Sequence, residues 1–218
     1  MSHEGLGCDP APSCKVCRAS EASYRCSDCF SRGLLCKGCI VRSHVNHPLH
    51  RVQVKVNLVS VSLHVTDFDS QHWTGDFFTE TSLFSLGSSY QLGHIIDDPC
   101  LLPSPPIQLT PFDTSGVHVM RLTYCFCNNN GQRESGNRRT QLLRVKWFPA
   151  SWHRPGTAFT FRLLDFIHKL QTQSKINLYD FYVSLISITN SAGLKPPTVR
   201  HLQSYALPPW NLMPYIDE

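Results

Sequence analysis

From residue 157 onward apolar positions recur every three or four residues. Phe159, Leu163, Phe166, Ile167 and Leu170 share one face of a helix predicted over 157–172, opened by a Pro-Gly pair. Leu178, Phe181, Leu185 and Ile188 do the same over 177–192, where Asn177 and Asp180 suit the N-terminal cap and Gly193 the C-terminal one. Pro196 and Pro197 bar any continuation. Upstream the period changes to two. Val117, Val119, Arg121 and Thr123 alternate within 116–127, and Leu143, Val145 and Trp147 within 141–148, which predicts a β-hairpin with a polar loop at 128–140. Residues 97–111 hold five prolines and read as an extended loop. Leu83, Phe84 and Leu86 are expected packing residues. The pattern predicts an α+β chain, a helical pair on a small sheet.

Nearer the N-terminus, 24–26 and 34–36 read as short strands, and 37–45 as one helix with Cys39 on its inner side. Between residues 14 and 53 the apolar residues (Val16, Tyr24, Phe30, Leu34, Leu35, Ile40, Val45, Leu49) are too few to fold the piece alone. What the stretch has instead is ligands. Cys14/Cys17, Cys26/Cys29 and Cys36/Cys39 form three Cys-x-x-Cys pairs, separated by eight and then six residues, and His44, His47 and His50 follow. Each pair is half of a tetrahedral zinc site, so three pairs and two histidines make two closed sites. The expected wiring is a cross-brace: Cys14, Cys17, Cys36 and Cys39 on one ion, and Cys26, Cys29, His44 and His50 on the other, with His47 the alternate. Two structural zinc ions would supply on the order of 10 kcal/mol or more of folding free energy each. Disulfides are the competing reading. No charged start with an apolar run precedes the cluster, and knuckles ending in histidine suit metal better.

Composition adds bounds. A chain of 218 residues holds one or two domains, and ten cysteines with eleven histidines are a metal-site bias. A net charge of +4 permits nucleic-acid contact without arguing for it. No stretch is long and apolar enough to span a bilayer, so an intracellular protein is expected, without a small-molecule substrate. Cys8 reads as a spare thiol, and His153, His168 and His201 as ordinary helix or loop residues.

The knuckle spacing and the segment LLCKGCIVRSH resemble a B-box, the two-zinc module of TRIM proteins. A more specific resemblance follows downstream. HPLHRVQ, HWTGDFFTETSLFSLG, QLGH, the Cys125-Phe126-Cys127 pair, QLLRVKWFPAS, TAFTFRLLDFIHKLQTQSKINLYDFY and SLISITNSAGLKPP, in that order, resemble the CxC-type cysteine-cluster region. That region lies N-terminal to the catalytic core of KDZ (Kyakuja, Dileera and Zisupton) transposases and is abundant in fungal genomes. The expected organisation is a flexible lead-in at 1–13, a B-box-like double zinc module at 14–53, a CxC-type region at 72–197 and an irregular tail at 198–218. Residues 54–71 depart from the family. Val54, Val56, Val59, Val61, Leu63 and Val65 alternate with one slip, like a bulged strand, yet deleting 54–71 joins HRVQ to HWTGDFF. The segment is therefore an insertion, read as a translated intron, and is expected at a loose edge outside the core.

Cys125 and Cys127, two apart on a presumed strand, face one way, and His94 and Cys100 could complete a third tetrahedral set. His118 competes, but strand parity puts it on the opposite face. Two buried thiols that need no ligand are the plain alternative; the family's naming after a Cys-x-Cys pair supports metal. The resemblance implies a nuclear, non-catalytic accessory region of a transposase, read as a truncated or relic copy. The acidic residues of a ribonuclease-H-like core would follow Pro197, and Asp97, Asp98, Asp113, Asp165 and Asp180 are not spaced to replace them. Expected partners are transposon DNA or transposase subunits. Lys15, Arg18, Arg25, Arg32, Lys37, Arg42 and Arg51 with Arg138, Arg139, Arg144 and Lys146 on the hairpin would offer the DNA surface. The alternative is a B-box-like protein-interaction module working through Phe30, Leu34 and Val45.

Overall fold

The computed structural model describes residues 13–19, 21–30, 33–57, 76–94, 98–127, 138–151, 154–174 and 176–189. Cys8, Arg32, His153, His201, Gly193, most of the 54–71 segment and the 198–218 tail lie outside them. The content is mixed α and β, and the chain divides into two units at residues 88 and 89.

In the first unit, β1 (Tyr24–Cys26), β2 (Val52–Asn57) and β3 (Asp76–Thr81) form an antiparallel sheet in that order, and α1 (Lys37–Ser43) follows the third knuckle. The 34–36 strand reduces to a single bridge between Leu35 and Tyr24. Ile40, Val52, Leu83 and Cys26 make one small buried cluster, and Cys14, Ala22, Leu34 and Cys39 another. Leu86 packs partly against the first, as its apolar neighbours suggested. One expectation is corrected here. Residues 54–57 are not a loose edge but the second half of the central strand, with Val54 opposite both Tyr24 and Thr79, and Lys55 opposite Phe78. Their alternation continues that of Val52, whose side chain is fully buried, so pairing rather than family pattern places them.

In the second unit β4 (Ser89–Gln91), β5 (Ile107–Asp113), β6 (Gly116–Val117), β7 (Met120–Thr123), α2 (Arg138–Arg144), β8 (Trp147–Pro149), β9 (Thr157–Thr160), α3 (Phe161–Gln173) and α4 (Leu178–Thr189) follow in turn. The sheet runs β4-β7-β5-β9-β8, with β6 on β5. The proline-rich loop thus ends at Ile107, where the central strand begins. β6 and β7 keep one register against β5, with Asp113 opposite Gly116 and Leu109 opposite Met120. The ladder breaks at Pro111, which has no N–H to donate; the His118 N–H still donates to its carbonyl at 3.0 Å. Gly116 sits at φ 128, where an added Cβ would lie 2.4 Å from Thr189 Oγ1, and that hydroxyl accepts from the Val117 N–H.

The predicted 116–127/141–148 hairpin is replaced. Residues 141–144 are helical, because Leu142 is buried and the Gln141 amide turns inward to the Cys125 backbone, while Val145 is exposed. Residues 157–160 are also not helical. Ala158, Phe159 and Thr160 are buried in β9 between β5 and β8, and helix α3 starts only after Thr160, whose hydroxyl accepts from the Leu163 N–H. Leu163, Leu164 and Ile167 then pack with Phe181 and Leu185 of α4 on Phe112 and Phe159. Phe166, Leu178 and Ile188 are exposed instead. The Asn177 side-chain oxygen Oδ1 caps α4 by accepting from the Asp180 N–H at 2.8 Å.

Asp113 ends β5 as a buried carboxylate. It accepts from Thr160 Oγ1, from the Ser115 hydroxyl and N–H, and from Arg162. Burial pushes its carboxyl up, but these donors, Arg162 foremost, outweigh it and hold the group at about 2. A depressed acid stabilises the fold above its unfolded value and loses that contribution as pH falls through the folded one. The second unit is therefore expected to lose stability between about pH 4 and pH 2. Asp113→Asn should flatten that part of the profile and cost about 1.5–3 kcal/mol at neutral pH, as read by denaturant titration.

Candidate metal centres

Among the described residues three groups of four Cys and His ligand atoms converge, each with all four atoms within 4.8 Å of one another. The first is Cys14, Cys17, Cys36 and Cys39. A tight turn holds Cys14 and Cys17, closed by the Arg18 N–H on the Cys14 carbonyl at 2.8 Å, with Arg18 left-handed at φ 60. Cys36 caps the start of α1 and Cys39 lies one turn in, so both approach from the helix's first turn. Cys17 and Cys36 sulfurs stand 3.6 Å apart. A tetrahedron with Zn–S of about 2.3 Å has an edge of about 3.8 Å, whereas a disulfide brings sulfurs to about 2.05 Å. The spacing fits an ion, and all nine cysteines among the described residues are free thiols.

Electrostatics agree with the geometry. The Cys14 thiol is drawn down to about 6, chiefly by the Cys17 N–H, while Cys39 is pushed up to about 12 by the adjoining Cys36 and Cys17 thiols. Four crowded sulfurs cannot all ionise on their own. A bound cation lifts that conflict.

The second group is Cys26, Cys29, His44 and His50. Helix α1 serves both groups, since His44 caps its C-terminus two turns beyond Cys36 and one turn beyond the buried Ile40. His44 Nδ1 lies 2.8 Å from the Ile40 carbonyl, which fixes its proton there and leaves Nε2 facing Cys29 Sγ at 3.4 Å. His50 approaches through Nδ1, at 3.5 Å from Cys26 and 3.4 Å from Cys29. His47 is not brought into the set; its exposed ring stacks on His50 at 4.6 Å. Arg51 and Asp28 were not legible as part of this centre. The Asp28 carboxylate accepts from the Arg51 N–H at 2.6 Å and from its guanidinium at 2.6 Å, and the Arg51 carbonyl accepts from Ser27 N–H at 3.0 Å. The second knuckle is thereby clamped to the residue after His50. Burial raises the Asp28 carboxyl, and the Arg51 bonds override it and keep it low.

The third group is His94, Cys100, Cys125 and Cys127, all in the second unit. His94 Nε2 lies 3.0 Å from Cys125 Sγ, and its Nδ1 is 3.0 Å from the Asp98 carboxylate, the arrangement of a metal-bound imidazole with its supporting acid. Cys100 and Cys127 sulfurs are 3.6 Å apart, and the Cys127 N–H points at Cys125 Sγ at 3.2 Å. Burial raises the Cys125 thiol to about 11, whereas Cys127, against its own burial, is brought down to about 7, with His94 the main cause. His118 goes elsewhere, onto the Ser115 hydroxyl at 3.0 Å.

A family model described as a CxC2-like cysteine cluster associated with KDZ transposases matches residues 83–193, just over half of the chain. The chain belongs to that family. Comparison with curated proteins and with solved structures finds no match. The CxC2 stretch contains the whole third group, and the first two groups precede it. Three expectations about the surface change with the structure. Leu34 is buried and cannot join Phe30 and Val45 on a surface. Arg25 and Arg51 are engaged, Arg25 over the Phe78 ring at 3.5 Å and with Gln53, Arg51 with Asp28. Arg138, Arg139 and Arg144 lie on α2 rather than on a hairpin.

Gly93 lets His94 reach its partners. At φ 88, an added Cβ would meet Cys125 Cβ at 2.5 Å. Gly93→Ala is expected to destabilise the second unit by about 1–3 kcal/mol and to raise alkylation of Cys125, measured by denaturant titration and thiol labelling.

Proposed function

We propose that the chain is a non-catalytic accessory region of a KDZ-type transposase, organised by three structural zinc ions, that contacts DNA in the nucleus. The observation that carries this is the donor chemistry of the three groups. Four thiolates, two thiolates with two imidazoles, and three thiolates with one imidazole are soft, four-ligand sets that suit zinc. Each set is closed, so a bound ion keeps no position for water or substrate, and chemistry at it is not expected. The metal's contribution is order. Of the eight buried residues in the first unit's two clusters, three are cysteines of the metal groups, too small a core to fold unaided.

For DNA, the exposed cations Lys15, Arg18, Lys37, Arg42, Arg144 and Lys146 support phosphate contact. A B-box-like protein-interaction module is the second reading, favoured by the fully exposed Phe30 ring with Val16 and Val45 also exposed. No helix among the described residues is long and apolar enough to cross a membrane.

Elemental analysis of the purified chain should find three zinc ions. Chelation should abolish the first unit's secondary structure, read by circular dichroism; retention of native structure without metal would sink the proposal. Binding to duplex DNA should fall steeply between 50 and 200 mM salt, roughly tenfold for every two phosphate contacts or so. No gel shift at low salt would instead favour the protein-interaction reading.

A further inference from the structure

We infer that Gln91 and Gln141 are positioning residues of the third centre, each standing in for a missing strand at one of its cysteine ligands. The Gln141 amide makes both bonds that a paired strand would make to Cys125. Its Oε1 accepts from the Cys125 N–H at 2.9 Å, and its Nε2 donates to the Cys125 carbonyl at 2.7 Å. Gln91 performs the corresponding task on the other side of the site. Its Oε1 accepts from the Cys100 N–H at 3.2 Å and its Nε2 donates to the Asp98 carbonyl at 3.2 Å.

These bonds are needed because the ligands sit where regular pairing runs out. Cys125 lies beyond the end of β7 and pairs only as a bridge with Pro103, and Cys100 precedes β5 by several residues. A buried backbone group without a partner is costly. Gln141 is buried and its bonds are shielded from water, while Gln91 is exposed and competes with solvent. The Gln141 contribution is accordingly the larger. Gln91 also acts through Asp98, whose carboxylate holds His94 Nδ1, so a single amide steadies two ligands, Cys100 and His94. Gln141 lies on α2 beside the buried Leu142, which ties that helix to the centre. Outer partners of this kind typically govern metal affinity by 10- to 100-fold, about the range expected here.

The inference rests on the metal reading of this centre, and the experiment separates the two. The zinc-loaded full-length chain is mixed with a chromophoric chelator, and the release of each ion is followed; Cys127→Ser identifies the third ion as the one it lacks. Gln141→Met and Gln91→Met keep side-chain volume but remove the amide. Expected are three ions in the native chain, a third ion released about 10- to 100-fold faster in Gln141→Met and by less in Gln91→Met, and unchanged release of the other two. Faster hydrogen exchange across 138–144 in Gln141→Met should accompany it. Three ions with the third released at the native rate in Gln141→Met would overturn the positioning role, because packing alone would then suffice. Two ions in the native chain would overturn it together with the metal reading beneath it.

Discussion

Thiolates brought within a few ångströms of one another repel or stay protonated unless a cation lies between them. That constraint recurs three times among the described residues, and the surrounding structure is arranged around it. In the first unit the two buried clusters are small and partly made of the ligands themselves, so the sheet and the short helix have little else to hold them. Helix α1 is seven residues, too short to persist alone, yet it carries Cys36 and Cys39 at one end and His44 at the other. One short helix thus places ligands for two of the groups.

The second unit solves a different problem. Its sheet and the α3/α4 pair build an apolar core around Phe112, Phe159, Leu163 and Phe181 that needs no ion. The third centre is placed at the side of that core, past the end of β7, and is fastened by polar groups: Asp98 behind His94, Gln141 behind Cys125, Gln91 behind Cys100. Gly93 removes the side chain that would otherwise hold His94 away. Here the ligand group sits beside a separate apolar core, whereas in the first unit the ligands are themselves part of the buried clusters.

The family relationship and the geometry bear on different parts of the chain. The CxC2 match covers the third centre and the helices that follow it, and the two preceding centres stand on ligand chemistry alone. What all three share is a closed four-ligand donor set of the kind that suits a structural ion. Some of the basic side chains are already held within the protein. Arg51 is spent on Asp28 and Arg25 on Phe78, so the usable charge is smaller than a count of basic residues suggests.

The local chemistry of the chain was enough to mark its ligands. Cys-x-x-Cys pairs restrict coordination so strongly that the way the cysteines of the first two groups combine could be written from spacing, while the choice of His44 and His50 over His47 came from the folded chain. The N-terminal cap of α4 and the Leu163 and Ile167 positions of α3 were legible for the same reason: each depends on neighbours within one or two helical turns. Pairing between distant segments was not. Residues 141–144 alternate as a strand would, yet burial of Leu142 and the inward turn of Gln141 make them helical. Phe159 fits a helical stripe, but β5 and β8 claim it for the sheet. Residues 54–57 look like an insertion against the family, yet all four pair with β3 and Val54 pairs with β1 as well. Asp28 with Arg51, and the two glutamines, acquired their roles only when segments remote in sequence met. A local period reports which face a residue can turn toward a core, and only the folded chain supplies the partner that decides whether it does.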